Sequence, residues 1–214
     1  MTEEKKRFTL WEHWTHKDKN PSTEKKLEDE ISNPLKLHLG DFIIPKMLEP
    51  TEGKDHKVLE VVEVVEYDRL ISREHFYLTD YLLRDKDGTH VLRSNLADQK
   101  VSLLWLDIYY ESEFKEEILD AVKHKTFKID EEDGTHIEYQ TLNSGEDGFL
   151  CEQRIVSKDK DFIQKEEAKY WDFYRDVNEG VTELFFVEVN EETGWIMMLK
   201  GFVISEYDIE IIPK

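Results

Sequence analysis

The stretch TELFFVEVNEETGWIMMLKGFVISEYDIEIIP, residues 182–213, decides the fold class. It contains three apolar runs, residues 184–189, 195–204 and 209–212, separated by the polar segments 190–194 and 205–208. Short runs rich in Val, Ile, Phe and Trp that alternate with turn residues are typical of β-strands joined by tight turns. The stretch therefore predicts a three-stranded antiparallel meander on which the rest of the chain packs.

Similar short strands are predicted along the chain before this meander. They are residues 42–44, 57–67, 75–84, 90–95, 101–110, 126–129, 135–142, 149–156 and 169–177. In the second of them, Glu60, Glu63 and Glu66 are three residues apart, which matches neither a strand nor a helix period. We therefore expect a bulge in that strand. Ser112 is predicted to cap a helix that ends at Lys123.

Two predicted hairpins turn at an Asp-Gly pair, and we expect these glycines to supply the positive φ of a tight turn. The tetrapeptide Asp-Gly-Thr-His occurs at 87–90 and again at 133–136. This recurrence raises the hypothesis of an internal duplication with halves at about 35–124 and 125–214. No alternation of strands and helices appears, which argues against a parallel sheet. The predicted fold is mainly β (α+β by count), with antiparallel hairpins forming a barrel or sandwich and one or two helices.

The chain is strongly acidic, with 49 Asp and Glu against 29 Lys and Arg and a formal net charge of −20. Such a body repels nucleic-acid phosphates and anionic lipid headgroups, so we expect no nucleic-acid partner. No apolar run approaches about 18 residues, so we expect no membrane insertion. The single cysteine, Cys151, excludes an intramolecular disulfide, and the first residues lack an apolar signal core. These features predict a cytoplasmic protein.

Residues 1–34 form a predicted N-terminal arm that is nearly neutral, with seven basic and eight acidic residues, and residues 35–214 form the β-rich domain. A short helix is predicted in the arm at about 22–31. Before it, Phe8, Trp11 and Trp14 form an apolar cluster in a polar segment. One interpretation is that these rings dock on the domain. The other is that they bind a protein partner, because exposed tryptophans are costly without such a purpose.

Patterns of catalysis and metal binding are missing from the sequence. The two Asp-Gly loops lack the first and last ligands of a calcium loop, and no HExxH, CxxC or GxSxG occurs. His90 and His136 are interpreted as structural or surface residues, and Cys151 as a buried, inert thiol. We therefore assign no catalytic, metal or cofactor-binding residue and expect no cofactor.

Several short motifs resemble a group of bacterial β-rich domains of unknown function. Gly40-Asp41 matches the Gly-Asp start of these domains, and YWDFY at 170–174 matches their aromatic-acidic-aromatic strand. The run from Gly201 to Ile204 matches their closing Gly-x-x-Ile segment. The resemblance spans about residues 35–214 and implies a β-rich domain without an assigned activity.

Two functions remain open at this point. The first is a non-enzymatic interaction module that binds a protein partner, with Phe8, Trp11 and Trp14 as contact residues, or that associates with itself. The alternative is a β-barrel that binds or hydrolyses a small molecule at an interior carboxylate or histidine site.

Overall fold

The computed structural model describes residues 34–46, 57–71, 74–97, 100–113, 116–131, 133–157, 163–178, 180–190 and 193–214. These residues form twelve strands, one short α-helix and one turn of 3-10 helix. The strands are β1 (Phe42–Pro45), β2 (Leu59–Ile71), β3 (Glu74–Arg84), β4 (Thr89–Ala97), β5 (Lys100–Glu113), β6 (Thr126–Asp130), β7 (His136–Thr141), β8 (Phe149–Ser157), β9 (Ile163–Asn178), β10 (Val181–Asn190), β11 (Trp195–Ile204) and β12 (Ile209–Ile212). The helix α1 spans Glu116–Val122, and the 3-10 turn spans Glu206–Asp208.

All twelve strands belong to one antiparallel sheet. Its order is β12-β1-β2-β3-β4-β5-β11-β10-β9-β7-β6, and β8 pairs with both β2 and β9. Through β8, eight strands form a ring, β2-β3-β4-β5-β11-β10-β9-β8, which closes over part of the strand length. The prediction of a mainly β fold built from antiparallel hairpins is confirmed.

The ring is partial because β2 and β9 each pair with one strand over part of their length and with a different strand over another part. β2 pairs with β1 at Leu59 and Glu60, and with β8 from Glu63 to Arg69. β9 pairs with β8 from residue 163 to 170 and then with β7. β1 and β12 therefore extend the sheet beyond one side of the ring, and β7 and β6 extend it beyond the other.

Three apolar clusters fill the molecule, because most ring strands bury both faces. The inner cluster lies inside the ring and includes Val65, Leu78, Leu104, Phe186 and Leu199. The β6–β7 cluster covers the outside of β9, β10 and β11, and the β1–β12 cluster covers the outside of β2 to β5. The β6–β7 cluster includes Phe127, Tyr139, Trp171, Phe173 and Phe185. The β1–β12 cluster includes Leu37, Ile43, Tyr81, Trp105 and Ile209.

The predicted C-terminal meander is half correct. β10 and β11 form the expected antiparallel pair, but the third run, β12, pairs with β1 and not with β11. A 3-10 turn, with Ser205 as its N-cap and Asp208 completing a capping box, separates β11 from β12. Beyond this turn, β12 runs antiparallel to β1, which places Ile209 in the β1–β12 cluster. The bulge predicted in β2 is confirmed by a register shift between Val61 and Glu63.

Two local predictions are wrong. Ser112 does not cap the helix, because β5 continues to Glu113 and α1 begins at Glu116. Gly88 does not adopt a positive φ, although Gly134 does, at 84°. In the turn between β3 and β4, Asp85 Oδ1 accepts hydrogen bonds from the backbone N–H groups of residues 87 and 88. The Asp85 side chain therefore closes this turn.

Strands from both predicted halves of the chain pair within the one sheet, for example β2 with β8 and β5 with β11. Such pairing does not test whether the two halves arose by duplication, so the internal duplication stays a prediction. The predicted helix at 22–31 lies outside the described residues. The helix found in the described part of the chain is too short to cross a membrane.

Candidate functional site

A charged cluster lies inside the ring, and we call it the Arg93 cluster; its members are Arg93, Asp80, Glu188, Tyr67 and Tyr170. Arg93 binds Asp80 through two hydrogen bonds, Nε to Oδ1 and Nη2 to Oδ2, both 2.6 Å long. Nη2 also donates to Glu188 Oε1 at 2.6 Å, and Nη1 donates to the Tyr170 hydroxyl. One guanidinium thus joins its own strand β4 to three others, since Asp80 lies on β3, Glu188 on β10 and Tyr170 on β9.

Strand alternation places these polar groups inside the ring. On β4, Leu92 belongs to the outer β1–β12 cluster, so its neighbour Arg93 faces inward. On β10, Phe186 belongs to the inner cluster, and Glu188, two residues further, has the same orientation. On β3, Tyr81 faces outward and Asp80 faces inward.

Aromatic rings surround the guanidinium. Arg93 Cζ lies 4.7 Å from the centroid of the Phe186 ring, 5.2 Å from that of Tyr170 and 5.6 Å from that of Tyr67. At these distances the ring faces attract the cation and offset part of the cost of removing it from water. The Gln153 amide on β8 completes the surroundings, with Nε2 3.4 Å from Glu188 Oε2.

Burial and neighbouring charge shift the pKa values of the cluster. Burial lowers the pKa of Arg93, but the charge of Asp80, followed by Tyr170 and Glu188, outweighs it and raises this pKa well above its ordinary value. Burial raises the pKa of Tyr67 well above its ordinary value, and Asp80 and Glu188 add to the effect. Burial also raises the pKa of Glu188, because its penalty and the charge of Asp80 exceed the opposing effect of Arg93.

The Arg93 cluster is closed to solvent, since the side chains of Arg93 and Asp80 are each 1% exposed and that of Glu188 is 5% exposed. A substrate would reach these groups only after the surrounding side chains moved. In the described ranges, no group of three or more His, Cys, Asp or Glu side chains is placed to hold a metal ion. The hydrogen bonds of Arg93 connect β4 with β3, β10 and β9 across the ring.

Another buried carboxylate, that of Asp172, organises the loop between β7 and β8. Asp172 Oδ1 accepts from the backbone N–H groups of Asn143 and Ser144, at 3.0 and 2.7 Å. The Ser144 hydroxyl lies 3.1 Å from the Asp172 backbone nitrogen and accepts from it. Gly148 has a φ of 66°, and a Cβ there would lie 2.6 Å from the Trp171 ring. Asp172 and its neighbour Trp171 therefore contact the loop and constrain its conformation. Both belong to the YWDFY motif.

The residues singled out from sequence do not meet in one site. Phe8, Trp11 and Trp14 lie outside the described residues. His90 Nδ1 is 2.7 Å from Asp107 Oδ1, and His136 Nδ1 is 2.6 Å from Asp130 Oδ1, so each histidine has its own exposed partner. Cys151 is fully buried in the inner cluster, as predicted.

The sequence interpretation missed Arg93, Asp80 and Glu188. A signal for them existed in β10, where residues 185–189 read FFVEV. Apolar residues on both faces of a strand indicate that both faces are buried, so a glutamate within such a run is buried as well. A buried glutamate requires a partner, but the segment that contains Arg93, VLRSNL at 91–96, has three polar residues and does not mark the arginine as buried.

The two outer strands of the sheet differ in their exposed side chains. β6 presents Lys128 and Asp130, and Lys128 forms an ion pair with Glu138. β12 presents Ile211 and Ile212, which are 37% and 39% exposed, and Tyr207 before it is 81% exposed. Among the described residues, β12 pairs with β1 alone, so its other edge carries backbone groups without a strand partner. Charged residues protect an edge from pairing with other chains, and an apolar edge favours such pairing.

The fold and the Arg93 cluster define a β-rich domain with one antiparallel twelve-stranded sheet and a buried ion-pair network. No family model matches the chain, and no match was found among curated proteins or among solved structures.

Proposed function

We propose that this protein is a non-enzymatic β-rich module that binds a protein partner along the free edge of β12. The partner supplies an extended segment that carries basic residues, which adds to the sheet as a further strand. The observation that carries this proposal is the apolar β12 edge, with Ile211 and Ile212 exposed and no strand partner in the described part of the chain.

Charge supports a basic partner segment. The chain has a formal net charge of −20, and the exposed Glu206 lies beside β12, while Glu210 within β12 pairs with Lys46 at 3.2 Å. A second copy of the same chain would carry the same excess of negative charge, which opposes its approach. A peptide that alternates apolar and basic residues would match both the apolar side chains and the sign of the field.

The test uses two synthetic octapeptides, one alternating Lys and Val and one alternating Glu and Val, with the full chain. We expect the Lys-Val peptide to bind, to bind more weakly at high salt and to bind more weakly to the double variant Ile211→Lys, Ile212→Lys. The matched control is the double variant Leu142→Lys, Leu150→Lys, which replaces two exposed apolar residues outside β12 with lysines and should leave binding unchanged. Equal binding of both peptides, or undiminished binding to the double variant, would overturn the proposal.

The aromatic cluster Phe8, Trp11 and Trp14 stays a second proposed contact with a protein partner. It is supported by the composition of the nearly neutral arm. Deletion of residues 1–20 should then weaken capture of a partner and leave the melting temperature almost unchanged. A large loss of stability on deletion would show instead that the arm packs on the domain.

The alternative function, binding or hydrolysis of a small molecule inside the ring, is supported by one observation, the pair of inward carboxylates Asp80 and Glu188 beside Arg93. Substitution of these residues would then abolish an activity or a ligand-induced rise in melting temperature.

Membership of the bacterial domains of unknown function is likewise a proposal, supported by the short sequence motifs. A cytoplasmic location is also a proposal, supported by the single cysteine.

A further inference from the structure

The Tyr67 hydroxyl lies between two carboxylates inside the ring. It is 3.1 Å from Asp80 Oδ2 and 2.9 Å from Glu188 Oε2. A hydroxyl has a single hydrogen, so it can donate to only one of these oxygens at a time. If both acids were ionised, one short oxygen–oxygen contact would lack a hydrogen, and such a contact between buried acceptors is unfavourable.

The charges of the cluster also argue against ionisation of both carboxylates. Facing Glu188 are Arg93 from β4, Asp80 from β3, Tyr67 from β2 and Tyr170 from β9, together with the neutral Gln153 amide from β8. Among the side chains that the structure describes, Arg93 is the only buried basic one. Two ionised carboxylates would leave one uncompensated negative charge in the interior, which is strongly unfavourable.

We propose that Glu188 carries a proton on Oε2 in the folded protein, at pH values where an exposed glutamate has already lost it. The Glu188 O–H donates to the Tyr67 oxygen, and the Tyr67 O–H donates to Asp80 Oδ2. Each of the two oxygen–oxygen contacts then contains one hydrogen. Asp80 keeps the negative charge and forms the bidentate pair with Arg93, so the cluster is electrically neutral.

The direction of the pKa shift agrees with this arrangement. Burial is the largest cause that raises the pKa of Glu188, and Asp80 adds to it while Arg93 opposes it. A group whose pKa is higher in the folded than in the unfolded state stabilises the fold fully below its unfolded pKa. This contribution is lost as the pH rises through the folded pKa. The protein should therefore lose stability towards higher pH through Glu188.

The first experiment is carbon-13 NMR of the full chain with its glutamate side-chain carboxyls labelled, titrated between about pH 5 and pH 8. It needs no variant and does not depend on how a substitution folds. We expect one glutamate carboxyl to stay protonated, or to titrate, in a range where the exposed glutamates are already ionised. The same ionised state for every glutamate at about pH 5 would overturn the proposal.

The second experiment assigns the proton with Glu188→Gln, whose amide can donate to the Tyr67 oxygen and accept from Arg93. The variant should lose the unusual NMR signal, and wild type should lose stability relative to it as the pH rises. The matched control is Glu66→Gln. Glu66 is the half-buried partner of Arg154, and this variant should keep the NMR signal. Retention of the signal in Glu188→Gln, or a pH-independent stability difference, would assign the proton elsewhere and overturn the proposal.

Discussion

Arg93 on β4 and Glu188 on β10 are 95 positions apart in the chain, yet Arg93 Nη2 and Glu188 Oε1 lie 2.6 Å apart inside the ring. β4 and β10 are not neighbours in the sheet, since β5 and β11 stand between them. The contact therefore spans the interior instead of following a strand pair. Its geometry depends on closure of the ring, because only the curvature of the sheet brings these two strands face to face.

Removal of Arg93 should destabilise the fold severely. Arg93→Ala leaves Asp80 buried without its cation and Glu188 without its donor, and breaking a buried pair on one side costs about 3–5 kcal/mol. This is a large fraction of the roughly 5–15 kcal/mol that stabilises a typical domain. Urea unfolding followed by tryptophan fluorescence measures the loss.

Arg154→Ala is the matched control, because Arg154 Nη1 is also 2.6 Å from a carboxylate, Glu66 Oε2, but the arginine side chain is 36% exposed. A pair with this exposure contributes only about 0–1 kcal/mol. If the two variants lost the same stability, the special role of the Arg93 cluster would be refuted.

The local strands of this protein could be predicted from sequence because period and turn residues are local signals. The bulge in β2 was visible in the spacing of Glu60 and Glu63, and the hairpin of β6 and β7 was marked by Asp133-Gly134. The position of β12 beside β1 could not be predicted in this way. A short apolar run such as residues 209–212 contains no information about which distant strand it joins.

The Arg93 cluster was missed for a related reason. In a strand with one buried face, an inward residue is apolar and its neighbour is polar, so Asp80 and Arg93 resemble ordinary solvent-facing residues. The ring buries both faces, so the polar face here points into the interior. Local alternation alone cannot distinguish these two cases, because the difference depends on closure of the sheet through β8.

Substitution of Asp172 should loosen the loop between β7 and β8 without unfolding the sheet. Asp172→Ala removes the acceptor of the Asn143 and Ser144 backbone N–H groups, and leaving the buried Ser144 donor without a partner costs about 1–3 kcal/mol. Hydrogen exchange at these two amides should accelerate. Asp176→Ala, an exposed residue on the same strand that accepts from the Thr182 hydroxyl, should not change it. Unchanged protection in Asp172→Ala would contradict the assigned role.

A side chain at position 201 should disrupt the pairing of β5 with β11. A Cβ on Gly201 would lie 1.9 Å from the Trp105 carbonyl oxygen, and backbone atoms of a central strand cannot move away easily. Gly201→Ala should therefore lower the free energy of unfolding by about 1–3 kcal/mol, as overpacking does in rigid cores. Thermal unfolding measures this cost. Gly145→Ala, where no atom lies within 4 Å of the added Cβ, is the control, and equal melting temperatures would contradict the prediction.

Acid should weaken the attachment of the C-terminus through Asp41. Asp41 Oδ1 accepts from the Lys214 backbone N–H at 2.9 Å, and Oδ2 accepts from that of His38 at 2.7 Å. Burial raises the pKa of Asp41, but these two hydrogen bonds together with the His38 side chain outweigh it, and the net shift is downward. The group therefore adds stability above its unfolded pKa of about 3.9, and the contribution is lost as the pH falls through the folded pKa.

The variant Asp41→Asn tests this sign. It should be less stable than wild type by about 1–3 kcal/mol near neutral pH, since hydrogen bonds to a charged group are lost. The difference should shrink as the pH falls below about 4, because wild type then loses the same charge. Chemical unfolding at a series of pH values measures both curves, and Asp87→Asn in an exposed turn controls for the loss of one negative charge. A difference that stays constant or grows towards acid would show that Asp41 stabilises the C-terminus by some means other than its charge.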